Sequence, residues 1–279
     1  YRHINKIQQL ITTGYALFRL LICKYSFVFI WNKLFNSIMT YCVGIKVNEG
    51  MVFASDRRTN AGLDNYNSYS KMYVHNGIDR NIIILTSGNL ATSQAVFNSI
   101  NKDLEDPTNG NSLNNLYNLN EIAKYIGRLT VQHSSPDGIN QVTLELGSTF
   151  IVGGHIKDQD SDLYLVYPQG NFIKSSDFKP YLVIGEIKYG KPILDRVVKS
   201  DTFLGDAARC ALISMDSTMK ADLSVGPPID LVVYKNNMSK IVYQQSLEVS
   251  DDDYQYISKQ WEKGIFEIFK SFDRFKWED

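Results

Sequence analysis

Three side chains in the first third of the sequence have the means to attack a carbonyl and to manage the protons involved: Thr40, Asp56 and Lys71. If Thr40 is the first residue of the working chain, it supplies a nucleophilic hydroxyl and, on the same residue, an α-amine whose ordinary pKa is about 7.7–8.0. Such an amine can act as general base for its own hydroxyl. β-Branching restricts the threonine χ1 and helps hold that hydroxyl in place. A lysine beside the hydroxyl favours its deprotonation and keeps the free amine neutral, and an aspartate can pair with that lysine. Asp56, in Phe53-Ala-Ser-Asp-Arg-Arg, and Lys71, in Ser70-Lys-Met, are the candidates for these roles. Taken alone, either is ordinarily a solvated charge at a strand end.

The elements that must position them are legible as hydrophobic periodicity. From Thr40 the pattern alternates through Tyr41, Val43, Ile45 and Val47, turns at Asn48-Glu49-Gly50, and resumes over Met51–Ser55, which predicts a strand hairpin closed by Asp56. Lys71–Val74 and Asn81–Thr86 read as further strands. Ser87-Gly88-Asn89 then breaks the strand and caps a helix over Leu90–Leu104, with Ala91, Ala95, Ile100 and Leu104 on its apolar side. A polar loop over 106–115 precedes a second helix carrying Ile122, Tyr125, Ile126 and Leu129. Strands are expected over 148–153, 162–167, 171–174, 181–185 and 229–234, and helices over 191–198 and 205–220. Runs of strands alternating with pairs of helices predict two stacked sheets covered by helices on both outer faces, an α+β class. The stretch from Asp252 to Trp277 is rich in aromatic residues near a helical repeat, a composition of core or subunit interface.

Residues 1–39 contain Arg2, Lys6, Arg19, Lys24 and Lys33 and no acid. Arg19, Lys24 and Lys33 interrupt the apolar stretch from Leu10 to Ile38, which leaves no piece near the roughly 20 residues of a spanning helix. Asn32–Ile38 also lacks a small-residue cleavage site. The chain opens with Tyr, and its first Met is Met39, directly before Thr40. Two readings follow: upstream sequence translated from a misplaced start, or a propeptide cut between Met39 and Thr40. Both make residues 1–39 an extension absent from the mature protein and residues 40–279 one domain.

Composition excludes several classes. The formal net charge of −1 conceals +5 on residues 1–39 and hence −6 on the rest, so the body has no basic footprint for nucleic acid or an anionic membrane. Cys23, Cys42 and Cys210 are odd in number, far apart and without a CxxC pair, as expected of a reducing cytoplasm. The four histidines show no metal-ligand spacing, so no metal and no cofactor is expected.

The segments Thr40-Tyr-Cys-Val-Gly-Ile, Val52-Phe-Ala-Ser-Asp-Arg-Arg-Thr-Asn-Ala-Gly, Ser70-Lys-Met, Ser87-Gly-Asn-Leu-Ala-Thr and Ile184-Gly-Glu-Ile-Lys-Tyr-Gly-Lys-Pro-Ile-Leu-Asp-Arg resemble Anbu, a bacterial proteasome-related family. The resemblance covers nearly all of residues 40–279. It implies the N-terminal nucleophile hydrolase fold of proteasome β subunits and HslV, a four-layer αββα sandwich. It further implies Thr40 as the nucleophile, with Asp56 and Lys71 at the family's acid and lysine positions. Gly88 matches the glycine whose backbone N–H faces the developing oxyanion, a kind of fixed donor that can lower the barrier by a few kcal/mol. Asp222-Leu-Ser-Val-Gly226 resembles the proteasomal Asp-x-x-Ser-Gly loop, whose Asp and Ser support the threonine amine. Two departures stand out: Ser224 is one residue closer to Asp222 than that pattern has it, and Glu186 occupies the region of a Gly-Ser turn.

The expected activity is threonine-type cleavage of peptide or amide bonds, on a peptide or protein substrate, by a cytoplasmic homo-oligomer. Anbu proteins resemble open, spiral-like assemblies rather than closed chambers. Two rivals remain: a catalytically silent assembly subunit that keeps its extension, and an acyl transferase or amidohydrolase acting on a specialised peptide.

Overall fold

The alternating run after Thr40 forms β1 (Tyr41–Val47), which turns through Asn48-Glu49 into β2 (Gly50–Asp56). The structure, a computed structural model, describes residues 40–60, 66–106, 108, 110–135 and 146–278. The expectations for residues 1–39 lie outside them. Further strands are β3 (Arg58–Asn60), β4 (Tyr66–Ser68), β5 (Met72–Asn76) and β6 (Arg80–Gly88). Helices α1 (Leu90–Glu105) and α2 (Leu119–Ser134) follow, then β7 (Ser148–Ile156), β8 (Asp162–Val166), β9 (Phe172–Lys174) and β10 (Tyr181–Gly185). Helices α3 (Lys191–Val197) and α4 (Leu204–Ala221) precede β11 (Ile229–Lys235), β12 (Lys240–Leu247) and α5 (Asp252–Lys270).

The strands form two antiparallel sheets, ordered β10-β1-β2-β11-β12 and β5-β6-β7-β8-β9, with β3 and β4 as a separate ribbon. Because β1 and β2 are covered on both faces, they are buried along almost their whole length. Tyr41, Val43, Ile45, Val52 and Ala54 pack with Ala207, Ala211 and Met215 of α4. The opposite faces meet between the sheets, where Cys42, Met51 and Phe53 pack against Ile83, Leu85, Ile151 and Leu163. On the far side, α1 and α2 cover the second sheet through Ile100, Ile122, Ile126, Phe150 and Val152. The result is the αββα sandwich. Each large side chain so buried is worth about 1.5–3 kcal/mol against its exposed state.

Local signals hold at the helix starts. Asn89 caps α1 by accepting from Thr92 N–H at 3.1 Å. Asn118 accepts from Glu121 N–H at 2.9 Å while the Glu121 carboxylate returns to Tyr117 N–H at 2.8 Å.

One expectation is corrected and another is narrowed. The buried face of α1 comprises Thr92, Ser93, Val96, Phe97 and Ile100, and Ala91 is exposed. The hydroxyls are buried because they are bonded: Thr92 Oγ1 donates to Leu146 O at 2.8 Å and Ser93 Oγ shares a 2.7 Å bond with Thr86 Oγ1. Of the two readings of the aromatic C-terminal stretch, core or subunit interface, the structure removes core. Within α5 only Tyr254 is buried, its hydroxyl held by Asp216 of α4 at 2.9 Å, and Ile268, Phe269, Phe272, Phe275 and Trp277 are each more than 60% exposed.

Candidate active site

Asp56 ends β2 in the first sheet with no exposed surface, and Lys71 stands immediately before β5 in the second, 5% exposed. Lys71 Nζ donates to Asp56 Oδ1 at 2.8 Å and to Arg58 O at 2.6 Å. Asp56 also accepts two backbone donors: Tyr41 N–H on Oδ1 at 3.0 Å and Gly226 N–H on Oδ2 at 3.4 Å. A buried carboxylate is tolerable only with such compensation. Burial holds the Asp56 carboxyl above its ordinary value, and the charge and hydrogen bond of Lys71, then the two amides, offset this only in part. The neighbouring Cys42 thiol is pushed far up, first by its own burial and then by the Asp56 charge, so it stays protonated and inert.

Thr40 precedes β1 and is 6% exposed. Its carbonyl accepts Glu186 N–H at 2.7 Å, and the next amide, Tyr41 N–H, is the one bonded to Asp56. The one peptide group between Thr40 and Tyr41 is therefore fixed at both of its ends, its C=O to the residue after β10 and its N–H to the Asp56–Lys71 pair. Gly185 makes the first contact possible. Its φ is +88°, and a Cβ there would lie 1.9 Å from the Thr40 oxygen, so a side chain is excluded twice over. Glu186 itself turns back on its own loop, accepting Lys188 N–H at 3.2 Å.

Gly88 is the last residue of β6, at φ +114°, and a Cβ would meet Gly147 O at 2.5 Å. Two residues earlier, Thr86 N–H donates to Lys71 O at 2.9 Å, which ties this strand end to the lysine.

Asp222 and Ser224 follow α4, and the structure brings them to each other. Asp222 Oδ1 accepts both Ser224 N–H, at 2.8 Å, and Ser224 Oγ–H, at 2.6 Å, which closes a local turn. The loop meets the buried pair through Gly226 N–H on Asp56 and through Arg58, which donates to Leu223 O at 2.6 Å. Sequence reasoning missed Arg58 and the Gly226 amide as site residues. The signal for the former was present in Asp56-Arg-Arg, immediately after the acid.

Comparison with known proteins fits this geometry. A family model described as "Proteasome subunit" matches residues 39–234. Among solved structures, Anbu (ancestral beta-subunit) from Yersinia bercovieri superposes with a TM-score of 0.81 at 36% identity, covering 85% of this chain and 99% of that one. The chain belongs to the Anbu branch of the proteasome subunit family. Anbu in a helical assembly from Pseudomonas aeruginosa is 37% identical, with a TM-score of 0.78 over 85% of this chain and 98% of that one. A Gly-1 mutant of Anbu from Hyphomicrobium sp. strain MC1 is 38% identical, with a TM-score of 0.78 and coverage of 85% and 99%. No curated protein matches. The family model ends before β12 and α5, whereas the Anbu structures are covered almost to their full length.

Proposed function

We propose that this chain is a threonine-type amide hydrolase in which Thr40, exposed as the N-terminal residue by loss of residues 1–39, is the nucleophile. The observation that carries this reading is the buried Lys71–Asp56 pair joined to the peptide that follows Thr40. The Thr40 hydroxyl attacks the substrate carbonyl and its proton passes to the α-amine. Lys71 keeps that amine unprotonated and favours the alkoxide electrostatically, while Asp56 holds Lys71 in place. The tetrahedral oxyanion forms against Gly88 N–H. The amine then protonates the leaving nitrogen, and water hydrolyses the acyl-threonine ester with the same amine as base. No metal or cofactor enters this sequence of steps. Asp222 and Ser224 support the amine side of the site through the loop that reaches Asp56.

The substrate is a peptide or protein, and the working form is an assembly of copies of this chain, as the helical assembly of the Pseudomonas aeruginosa relative supports. We place it in the cytoplasm. No helix among the described residues is long and apolar enough to cross a membrane.

Mass spectrometry before and after exposure to a threonine-directed β-lactone tests the proposal. The expected result is a chain starting at Thr40 that gains one adduct, mapped to Thr40 and lost in Thr40→Ala. A chain that keeps residues 1–39 and takes no adduct overturns it and leaves the silent assembly subunit. Labelling of Thr40 without cleavage of generic peptides points to a specialised amide substrate or acyl acceptor.

A further inference from the structure

A second buried carboxylate, Asp230 in β11, stands one residue away from the Lys71–Asp56 pair on two separate stretches of chain. Arg57, the neighbour of Asp56, donates its Nε–H between both Asp230 oxygens at 2.8 Å. Ser70, the neighbour of Lys71, donates to Asp230 Oδ2 at 2.9 Å. Ser246 of β12 donates to Oδ1. Asp230 is 6% exposed and lies against a cavity of about 200 Å³ that Arg57, Ser70, Gln244 and Ser246 help to line.

The topology makes the two carboxylates parallel devices. Asp56 and Asp230 belong to β2 and β11, adjacent strands of the first sheet, while Ser70 and Lys71 are the consecutive residues that lead into β5 of the second. The bond from Ser70 to Asp230 and the ion pair from Lys71 to Asp56 therefore both tie the first sheet to the two consecutive residues that lead into the second. A buried charge pair is a poor way to gain stability compared with apolar packing of the same volume. Its value here is geometric, because each member of the Lys71–Asp56 pair has its adjacent residue anchored on one rigid oxygen pair.

We infer that Asp230 is a positioning residue that sets the placement of Lys71 and Asp56 through Ser70 and Arg57. This rests on the proposed threonine chemistry for its catalytic meaning, but the anchoring itself can be measured without it. Ser70 and Ser246 provide the discriminating pair: each gives the same carboxylate one hydroxyl hydrogen bond, yet only Ser70 reaches across to the sheet that carries Lys71.

The experiment follows β-lactone labelling of Thr40 in full-chain Asp230→Asn, Ser70→Ala and Ser246→Ala, together with hydrogen exchange at Thr86 N–H, the donor to Lys71 O. The expected result is that Asp230→Asn and Ser70→Ala lower kinact by about tenfold or more with KI within about twofold, since misplacement penalises the reacting geometry rather than binding. In both, Thr86 exchange accelerates, and Ser246→Ala has the smaller effect on both readouts. The inference is overturned if the two variants, folded as judged by circular dichroism, keep wild-type kinact and exchange, or if Ser246→Ala matches Ser70→Ala. If wild-type Thr40 takes no label, the hydrolase reading fails by itself, and the exchange rates still decide whether Asp230 holds Lys71.

Discussion

Asp56 and Asp222 approach the same corner of the molecule from opposite ends of the chain, and their hydrogen bonds could hardly differ more. Asp56 draws its donors from Lys71 and Tyr41, each 15 residues away, and from Gly226, 170 residues away. Asp222 takes both of its donors from Ser224, two residues on, in a half-buried turn. The first carboxylate depends on the whole sandwich being closed, and it reports on tertiary geometry. The second would form the same turn in a short peptide. A residue embedded by long-range bonds can hold a charged partner at a fixed distance from a third group, which is what preorganised catalysis needs. A residue satisfied by its own loop contributes shape.

The largest effects are therefore expected at the pair. Asp56→Asn leaves the Lys71 ammonium buried without its counter-charge and should cost about 3–5 kcal/mol of unfolding free energy, read by urea titration. Lys71→Met should cost a similar amount and lower β-lactone labelling by about 100-fold or more, as expected for loss of the positive charge that keeps the Thr40 amine unprotonated and favours the alkoxide. The double variant Asp56→Asn with Lys71→Met should lose clearly less stability than the two singles together, because the buried charge left behind is counted once in each single. Additive losses would show that the two side chains are anchored independently, and the contrast with Asp222 would lose its basis.

Next in size is Gly88→Ala. At φ +114°, with Gly147 O 2.5 Å from the new Cβ, the strand end must shift, at a cost of about 1–3 kcal/mol. Labelling should fall by about tenfold or more if the Gly88 amide receives the oxyanion. Gly110→Ala, where nothing lies within 4 Å of the new carbon, is the matched control and should stay within about 0.5 kcal/mol of wild type. Equal behaviour of the two would remove Gly88 from the site.

Sequence showed the pair more readily than the loop for the same physical reason. β1 and β2 sit between two apolar layers, so their pattern and the Asp56 that ends it are strongly marked, and Asn89 marks the turn after Gly88. The β12 strand escaped notice because it is an edge with mostly exposed residues, including Gln244 and Gln245, and offers little hydrophobic signal. The face of α1 was misplaced because Thr92 and Ser93 are buried through hydrogen bonds that composition does not reveal. The aromatic residues of the C-terminal stretch look like core in composition but most are left on the protomer's surface. Residue types singled out Thr40, Asp56 and Lys71 as candidates, but a backbone amide such as that of Gly226 carries no sequence signature at all.

The smallest expected effect is also the most informative about the shortened Asp222-Leu-Ser spacing. Ser224→Ala removes the 2.6 Å hydroxyl bond to Asp222 and keeps the 2.8 Å amide bond, so the turn retains half of its local support. A single hydrogen bond of this kind is worth about 0.5–1.5 kcal/mol, and the stability loss should fall in that range. Labelling of Thr40 should slow by less than about threefold, because the loop reaches the buried pair through the Gly226 amide and Arg58, neither of which is altered. A loss near 100-fold would mean that the serine acts on the threonine amine as the longer proteasomal pattern has it, despite standing one residue closer to the aspartate. The missing residue would then be accommodated by the loop in the enzyme that carries a free Thr40 amine, and Asp222 would belong with Asp56 after all.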